Sequence, residues 1–314
     1  MASRPGYVGH MFRVVQYSDL HFSTSGELSH GGFGYDTDET WNAIFEHSFG
    51  PGGTATGADL AVCTGDIADH GWADEYLLAQ QHLSRVPIPV AVVPGNHDYH
   101  APFEARLPTP GISMQRTHRI GPWLFILADS NRSGREEDDD GRLIDTDQRI
   151  EGIGELGARE IAWIDEMIAQ TDAEHVFIWV HHPPAMTGAV ANYMSSAFHD
   201  DFAALVSRQP KIRGLAAGHV HTDVVGDLGG IPVFVCPAFT INLDFEAGTL
   251  LPPGYRTFSF EDDGTITSEC HLLDDDRWPR HRLPDPALRY LAGDATIAEV
   301  KEALGIPTDA PSPI

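Results

Sequence analysis

Short apolar runs alternate with longer amphipathic stretches along most of the chain. The runs are four to six residues long and rich in Val, Ile, Phe and Leu, which is typical of buried strands. The predicted strands cover residues 12–17, 60–64, 90–93, 123–128, 176–180, 212–216 and 231–236. The stretches between them predict helices over residues 37–49, 73–85, 155–171 and 195–208. Repeated strand and helix indicate an α/β fold.

The pattern changes after Pro237. Two further strands, over residues 255–260 and 265–272, flank an Asp263-Gly264 turn, and this predicts a hairpin that belongs to a second sheet region. We expect one domain over residues 1–273. Residues 274–314 are acidic and rich in proline apart from a helical stretch over residues 296–304, and we expect them to form a C-terminal appendage.

Charge narrows the range of partners. The chain has 46 acidic and 20 basic side chains, a net charge of −26, which argues against nucleic-acid polymers and anionic membranes. The acidic runs at residues 136–140 and 274–276 are typical of solvated loops, whereas bound cations would neutralise other carboxylates. No apolar run reaches the length of a membrane span or a signal peptide, so we expect a soluble, cytoplasmic protein.

The cysteines predict neither a disulfide framework nor a thiolate metal site. Cys63, Cys236 and Cys270 are odd in number and have no Cys-x-x-Cys spacing. Buried free thiols are the simpler interpretation.

Five polar clusters stand at the ends of predicted strands, where α/β sheets gather their functional loops. They are Ser18-Asp19-Leu20-His21, Gly65-Asp66-Ile67-Ala68-Asp69, Pro94-Gly95-Asn96-His97-Asp98, His181-His182-Pro183-Pro184 and Gly218-His219-Val220-His221. Each cluster alone is weak evidence, because isolated Asp-x-His or His-x-His pairs are usually coincidental. All five in this order predict a metal centre.

Spacing gives these clusters a physical rationale. Residues two apart in a strand point to the same face, so Asp19 and His21 are expected to converge on one ion, as are His219 and His221. Asp66 can bridge two ions through its two carboxylate oxygens, and Asn96 adds an amide oxygen. Such a mixed N/O shell suits manganese, iron or zinc.

In order and spacing, these clusters resemble the metal-binding motifs of the calcineurin-like metallophosphoesterases over roughly residues 14–240. Pro253-Gly254-Tyr255-Arg256 also looks like the bacterial cyclic nucleotide phosphodiesterase and glycerophosphodiesterase branch. The resemblance implies a four-layer α/β/β/α sandwich of two mixed sheets flanked by helices. Residues 1–273 would then be the catalytic domain.

The resemblance also implies residue roles. It assigns Asp19, His21 and His221 to one metal ion, Asn96, His181 and His219 to a second, and Asp66 to a bridging position between two ions of Fe, Mn or Zn. His97 is expected to protonate the leaving alkoxide or stabilise the phosphorane. His97 and the adjacent Asp98 are the predicted catalytic residues. Asp69 and Asp98 are expected to orient neighbouring groups, and His182 to hydrogen-bond nearby.

In the implied mechanism, hydroxide held between the ions attacks phosphorus in line with the leaving group. Residues 65–71 lack the arginine that protein phosphatases of the superfamily carry there, which favours a singly charged diester. A 3′,5′-cyclic nucleotide is the leading substrate. Glycerophosphodiesters, other small diesters or phosphonates, and then nucleotide monoesters are alternatives, as is a metal-binding scaffold without activity. A homo-oligomer is also compatible with the sequence.

Overall fold

The computed structural model describes residues 11–24, 34–131, 135–137, 143–145, 154, 156–184, 199–278, 280–291 and 294–304. Its strands are β1 (Phe12–Tyr17), β2 (Leu60–Thr64), β3 (Val90–Val93), β4 (Ile112–Ser113), β5 (Thr117–Ile120), β6 (Trp123–Leu127), β7 (Arg135–Glu137), β8 (Leu143–Asp145), β9 (His175–Trp179), β10 (Ile212–Ala217), β11 (Val224–Leu228), β12 (Ile231–Val235), β13 (Asn242–Asp244), β14 (Thr249–Leu251), β15 (Gly254–Phe260) and β16 (Ile266–Leu272). Its helices are α1 (Thr37–Phe49), α2 (Ala73–Leu83), α3 (His100–Arg106), α4 (Ala158–Gln170), α5 (His199–Arg208), α6 (Asp285–Leu291) and α7 (Ile297–Leu304).

Two six-stranded mixed sheets form the centre of the molecule. The first has the order β16-β15-β1-β2-β3-β4, in which β1 to β4 run parallel and the β15–β16 hairpin adds antiparallel strands to β1. The second has the order β11-β12-β10-β9-β6-β5, with a parallel centre and antiparallel edges. The predicted α/β sandwich of two mixed sheets is confirmed.

Three apolar cores separate the layers. Between the sheets lie large aromatic side chains, and Phe177 and Trp179 of the second sheet meet Phe260 and Phe258 of the first at ring-centroid distances of 5.0 and 5.2 Å. Helices α1, α2 and α3 cover the outer face of the first sheet, and α4 and α5 cover that of the second. Strands buried on both faces explain the continuous apolar runs in the sequence.

Most predicted elements appear close to their predicted bounds. The prediction over residues 155–171 corresponds to α4, on which Ile164 and Ile168 are buried. The first four residues of the prediction over 195–208 lie outside the described residues. The short elements that were not predicted are β4, β5, β7, β8, β11, β13, β14, α3 and α6.

The placement of the C-terminal hairpin was wrong. It was assigned to a second sheet region, whereas β15 pairs with β1, with Phe12 opposite Phe260 and Gln16 opposite Arg256. Pairing there removes the open edge of β1. It also brings the phenyl rings of β15 into the core between the sheets.

Residues beyond 273 pack on the first outer core. Trp278, Leu283 and Ala287 are buried there, and the Trp278 ring meets Tyr35 with 5.2 Å between centroids. Among the described residues, we find no helix with the length and apolarity required to cross a membrane.

Candidate metal centre

The five polar clusters meet at one edge of the sandwich. Strands β1, β2 and β3 of the first sheet and β9 and β10 of the second end two or three residues before the first candidate ligand of each cluster. Because these strands run parallel within each sheet, their carboxyl ends deliver the loops to a common site.

The first ligand group consists of Asp19, His21, Asp66 and His221. Their donor atoms all lie within 4.8 Å of one another, and all four residues are buried. His221 Nε2 is 3.2 Å from Asp19 Oδ1, and His21 Nε2 is 3.8 Å from Asp66 Oδ2. The structure therefore brings together the residues predicted for the first metal.

The backbone of this site is left-handed at the ligand residues. Positive φ angles occur at Asp19 (53°), His21 (45°), Asp66 (49°), His219 (69°) and His221 (53°), and at no other non-glycine residue that the structure describes. Such backbone costs about 1 kcal/mol or more per residue. It persists where the surrounding structure holds it, and here it coincides with the residues predicted to bind metal.

The strand-alternation rationale for these pairs is therefore wrong. Strand β1 ends at Tyr17 and β10 ends at Ala217, so neither pair continues a strand. The carboxylate of Asp19 and the imidazole of His21 converge through left-handed loop residues. Backbone N–H groups of Asp19 and His21 donate to the carbonyls of Gly65 and Asp66, at 3.1 and 2.9 Å, and hold the loop in place.

Glycine allows these loops to approach each other closely. A Cβ atom at Gly65, whose φ is 89°, would lie 2.4 Å from His181 Nδ1. One at Gly218 would lie 1.8 Å from Ser18 Oγ. Close packing between loops therefore explains why glycine precedes Asp66 and His219.

The second ligand group consists of Asn96, His181 and His219. His181 Nδ1 donates to the carbonyl of Thr64 at 2.7 Å, and Nε2 lies 3.0 Å from Asn96 Oδ1 and 3.2 Å from Asp66 Oδ2. Donor atoms of His181, His182 and His219 also lie within 4.8 Å of one another. The predicted residues are again together.

Asp66 connects the first group to the second. Its Oδ1 accepts a 2.8 Å hydrogen bond from the backbone N–H of His97. Its Oδ2 is the oxygen that lies near both His181 and His21, at 3.2 and 3.8 Å. One oxygen of Asp66 therefore contacts histidines of both groups, whereas the sequence analysis expected both oxygens to take part in a bridge.

Asp66 and His181 form an oppositely charged pair within this buried cluster. Burial alone opposes ionisation of Asp66, but the nearby imidazoles of His181, His97 and His21 hold its pKa well below the usual range. Burial likewise opposes a charge on His181, and the Asp66 carboxylate outweighs it, raising the pKa of His181 to about 9. Burial, together with the charge of His181, lowers the pKa of His219 to about 3.

Asp69 supports the first ligand group. Its Oδ1 lies 3.2 Å from His21 Nδ1, so the carboxylate can orient the ring and leave Nε2 directed at Asp66. A carboxylate or carbonyl behind a ligating imidazole is usual in metal sites. The fixed Nδ1 atoms of His21 and His181, with buried carboxylates opposite, fit a site for metal ions with N/O ligands.

His97 lies beside the first ligand group. Its ring is 4.7 Å from that of His21, and its Nδ1 donates to the carbonyl of Asp69 at 2.7 Å. Any proton that His97 exchanges with a substrate therefore involves Nε2. The acid role of His97 stays a prediction, and the structure places its ring beside that of His21.

Asp98 ties two of the loops together. Its carboxylate accepts backbone N–H groups of Gly95, Ala68 and Ile67 at 2.8 to 3.2 Å, and the hydroxyl of Tyr76 at 3.1 Å. Burial and then the Asp66 charge raise the pKa of Asp98 to about 6, despite these donors. These hydrogen bonds fix the position of Gly95 relative to the loop that carries Asp66.

Three residues in this network were missed by the sequence analysis. Ser130 Oγ bonds His182 Nδ1 at 2.8 Å, Asn131 donates to the carbonyl of Asp98 at 2.7 Å, and Tyr76 donates to the Asp98 carboxylate. The hydrogen bond expected of His182 is thus made to Ser130. The available signal was position, since Ser130 and Asn131 follow β6 at the same sheet edge as the ligands.

The fold and these side-chain groups define a hydrolase whose buried ligands can hold metal ions. The chain belongs to the calcineurin-like phosphoesterase family, whose model matches residues 12–223. This confirms the predicted family and the predicted class of enzyme, a hydrolase of phosphoric esters.

Curated relatives extend over most of the chain. The 3′,5′-cyclic adenosine monophosphate phosphodiesterase CpdA of Escherichia coli K12 is 26% identical over 280 residues, covering 85% of this chain and 91% of the relative. The probable glycerophosphodiester phosphodiesterase GpdQ of Arcobacter nitrofigilis is 27% identical over 214 residues, covering 66% and 71%. The resemblance to the bacterial phosphodiesterase branch is therefore confirmed.

Solved structures share the fold at low identity. A dimetal phosphatase from Danio rerio is 14% identical with a TM-score of 0.53, covering 83% of this chain and 98% of its own. GAP50, the anchor in the inner membrane complex of Plasmodium, is 12% identical with a TM-score of 0.52, covering 96% and 98%. One fold thus accommodates both a phosphatase and a protein described as an anchor.

Proposed function

We propose that the chain is a phosphodiesterase that holds two metal ions and hydrolyses 3′,5′-cyclic nucleotides. The observation that carries the proposal is the position of Asp66, whose Oδ2 lies near histidines of both ligand groups. Asp19, His21 and His221 would hold one ion, and Asn96, His181 and His219 the other. Bound ions would activate a water molecule for in-line attack and neutralise the phosphate oxygens.

His97 would supply the proton for the leaving group. With its Nδ1 hydrogen held by the carbonyl of Asp69, the ring can present Nε2 to the alkoxide oxygen as the ester bond breaks. Asp69 and Asp98 would act as positioning residues, because their carboxylates contact His21 and the loop backbones.

A diester fits the site better than a monoester. Residues 65–71 contain no arginine to pair with the second charge of a monoester. The relatives named above are phosphodiesterases, which supports the same conclusion. Cyclic AMP is the first candidate because of the CpdA relative, and a glycerophosphodiester is the second because of the GpdQ relative.

The test is a comparison of kcat/KM for cyclic AMP, glycerophosphoethanolamine and p-nitrophenyl phosphate at one fixed manganese concentration. We expect the cyclic nucleotide to be cleaved most efficiently and the monoester least, with activity lost on chelation and restored by metal. Higher efficiency on the monoester would refute the diester assignment. Metal uptake without turnover of any ester would indicate a scaffold.

A further inference from the structure

A stacked aromatic pair, of which Trp72 is exposed and His70 partly buried, stands next to the candidate metal centre and has no role in the scheme above. Trp72 is 50% exposed, and its ring stacks on His70 with 4.2 Å between centroids and an interplanar angle of 17°. It is the only aromatic residue among the exposed large hydrophobic residues of the described chain.

Contacts place this pair directly beside the ligands. His70 Nδ1 lies 3.7 Å from Asp69 Oδ2, and the other oxygen of that carboxylate lies 3.2 Å from His21 Nδ1. The loop also rests on the His97 segment, since a Cβ at Gly71 would lie 2.9 Å from the His97 carbonyl. The aromatic pair therefore borders the residues that would handle the phosphate.

The loop that carries the pair is held rigidly. Glu75 is fully buried, and its Oε2 accepts the backbone N–H groups of His70 and Trp72 at 2.9 and 3.1 Å. Its Oε1 bonds His70 Nδ1 at 2.8 Å. The buried Glu75 carboxylate thus fixes the backbone of Trp72 and the ring of His70 on which the indole stacks, while half of the Trp72 surface stays open to solvent. Fixed orientation lowers the entropic cost of stacking a ligand on it.

We infer that the His70–Trp72 pair is the nucleobase subsite of the enzyme, with Trp72 stacking on the base while the phosphate lies at the metal centre. This inference rests on the proposed function and adds the part of the substrate that sets specificity. An indole offers a flat π-face that suits any base, and stacking on an aromatic side chain contributes substantially to nucleotide binding. A diester without an aromatic group gains nothing from this surface.

Steady-state kinetics on two diesters test the inference. We would measure KM and kcat for cyclic AMP and for glycerophosphoethanolamine with wild type, Trp72→Ala, Trp72→Phe and Leu77→Ala, at fixed manganese. Leu77 is the matched control, because it is also exposed (41%) and lies on α2, one turn further along the chain.

We expect Trp72→Ala to raise KM for cyclic AMP about 5- to 100-fold, the range of base stacking, with kcat little changed. KM for glycerophosphoethanolamine should not change, Trp72→Phe should recover most of the effect, and Leu77→Ala should behave as wild type. As a binding readout, AMP should inhibit wild type more strongly than ribose 5-phosphate, and Trp72→Ala should remove that difference.

Equal changes on both diesters, or none on either, would overturn the subsite while leaving the phosphodiesterase intact. Wild type that cleaves glycerophosphoethanolamine but not cyclic AMP would reject the cyclic-nucleotide substrate and the subsite together, and would leave a phosphodiesterase of the second candidate class. Failure of wild type on both diesters, with cleavage of p-nitrophenyl phosphate, would instead reject the proposed function and the subsite with it.

Discussion

The two ligand groups are held in different ways. Every member of the first group, Asp19, His21, Asp66 and His221, has left-handed backbone, whereas in the second group only His219 does. Asn96 and His181 have ordinary backbone, and His181 is aimed by its hydrogen bond to Thr64. The first group is thus shaped mainly by the main chain and the second mainly by side-chain contacts. A more preorganised site binds with a smaller ordering cost, so we expect the first group to take up metal at the lower concentration.

The largest effect is expected where the two groups meet. Asp66→Asn removes the charged oxygen that both groups approach, so both ions should be lost together and kcat/KM should fall by about 10³-fold, several kcal/mol of metal-ion stabilisation. Metal content per chain, measured by elemental analysis after gel filtration, is the readout. Loss of one ion alone would make Asp66 a terminal ligand of a single group.

His97→Ala comes next and should spare both groups. It removes the proposed acid without removing a proposed metal ligand, so metal content should match wild type while kcat falls by at least about 10²-fold. An unchanged kcat at full metal content would exclude His97 from the chemistry. A leaving group of low pKa, such as p-nitrophenolate, should lose less, because it needs less protonation.

Asp69→Asn tests the support of the first group alone. Weakening the contact to His21 Nδ1 should reduce metal affinity there by about 10- to 100-fold, the usual effect of a group behind a ligand. Ser130→Ala is the matched variant, since Ser130 contacts His182 beside the second group. Stepwise titration calorimetry should show the two variants weakening different binding events. If both weaken the same event, the division into two groups is wrong.

The smallest effect is a pH dependence that comes from His181. Below about pH 9 the metal-free protein keeps a proton on this imidazole, because its pKa is raised by Asp66 against the effect of burial. Metal must displace that proton, so apparent affinity at the second group should rise about tenfold per pH unit. His219, with its pKa lowered to about 3, carries no proton to displace.

The same proton on His181 also stabilises the metal-free fold, and this stabilisation depends on pH. A raised histidine pKa contributes stability that is fully present below about pH 6.5 and is lost as the pH rises through about 9. Thermal unfolding of the chelated protein across this range should show the loss. A flat profile, or proton release on metal binding that does not change with pH, would contradict the assignment.

Much of the fold was predictable because its strands are easy to recognise in the sequence. Strands buried on both faces produce uninterrupted apolar runs, and β1, β2 and β3 have the predicted bounds. The pairing of β15 with β1 was not predictable, because it joins residues about 240 positions apart in sequence and no local pattern records which sheet edge is open.

The sequence was sufficient to predict which residues come together at the candidate site, but not the backbone conformation that brings them together. Spacing and order identified the residues that the structure brings together, but left-handed backbone at Asp19 and His21 leaves no mark in the residue types. Ser130 and Tyr76 were missed because a single serine or tyrosine carries no motif, and only the folded chain shows what they contact.

The packing of Trp278 has a consequence for truncation of the chain. Trp278 stacks edge-on against Tyr35, whose backbone N–H donates to the carbonyl of Thr240, and the N–H of neighbouring Phe239 donates to the carbonyl of Asp19. A protein truncated after residue 273 would lack Trp278, and Tyr35 would lose this packing contact. The segment around Trp278 therefore supports the loop that carries Asp19, and we expect a protein shortened at residue 273 to lose metal before it loses its fold.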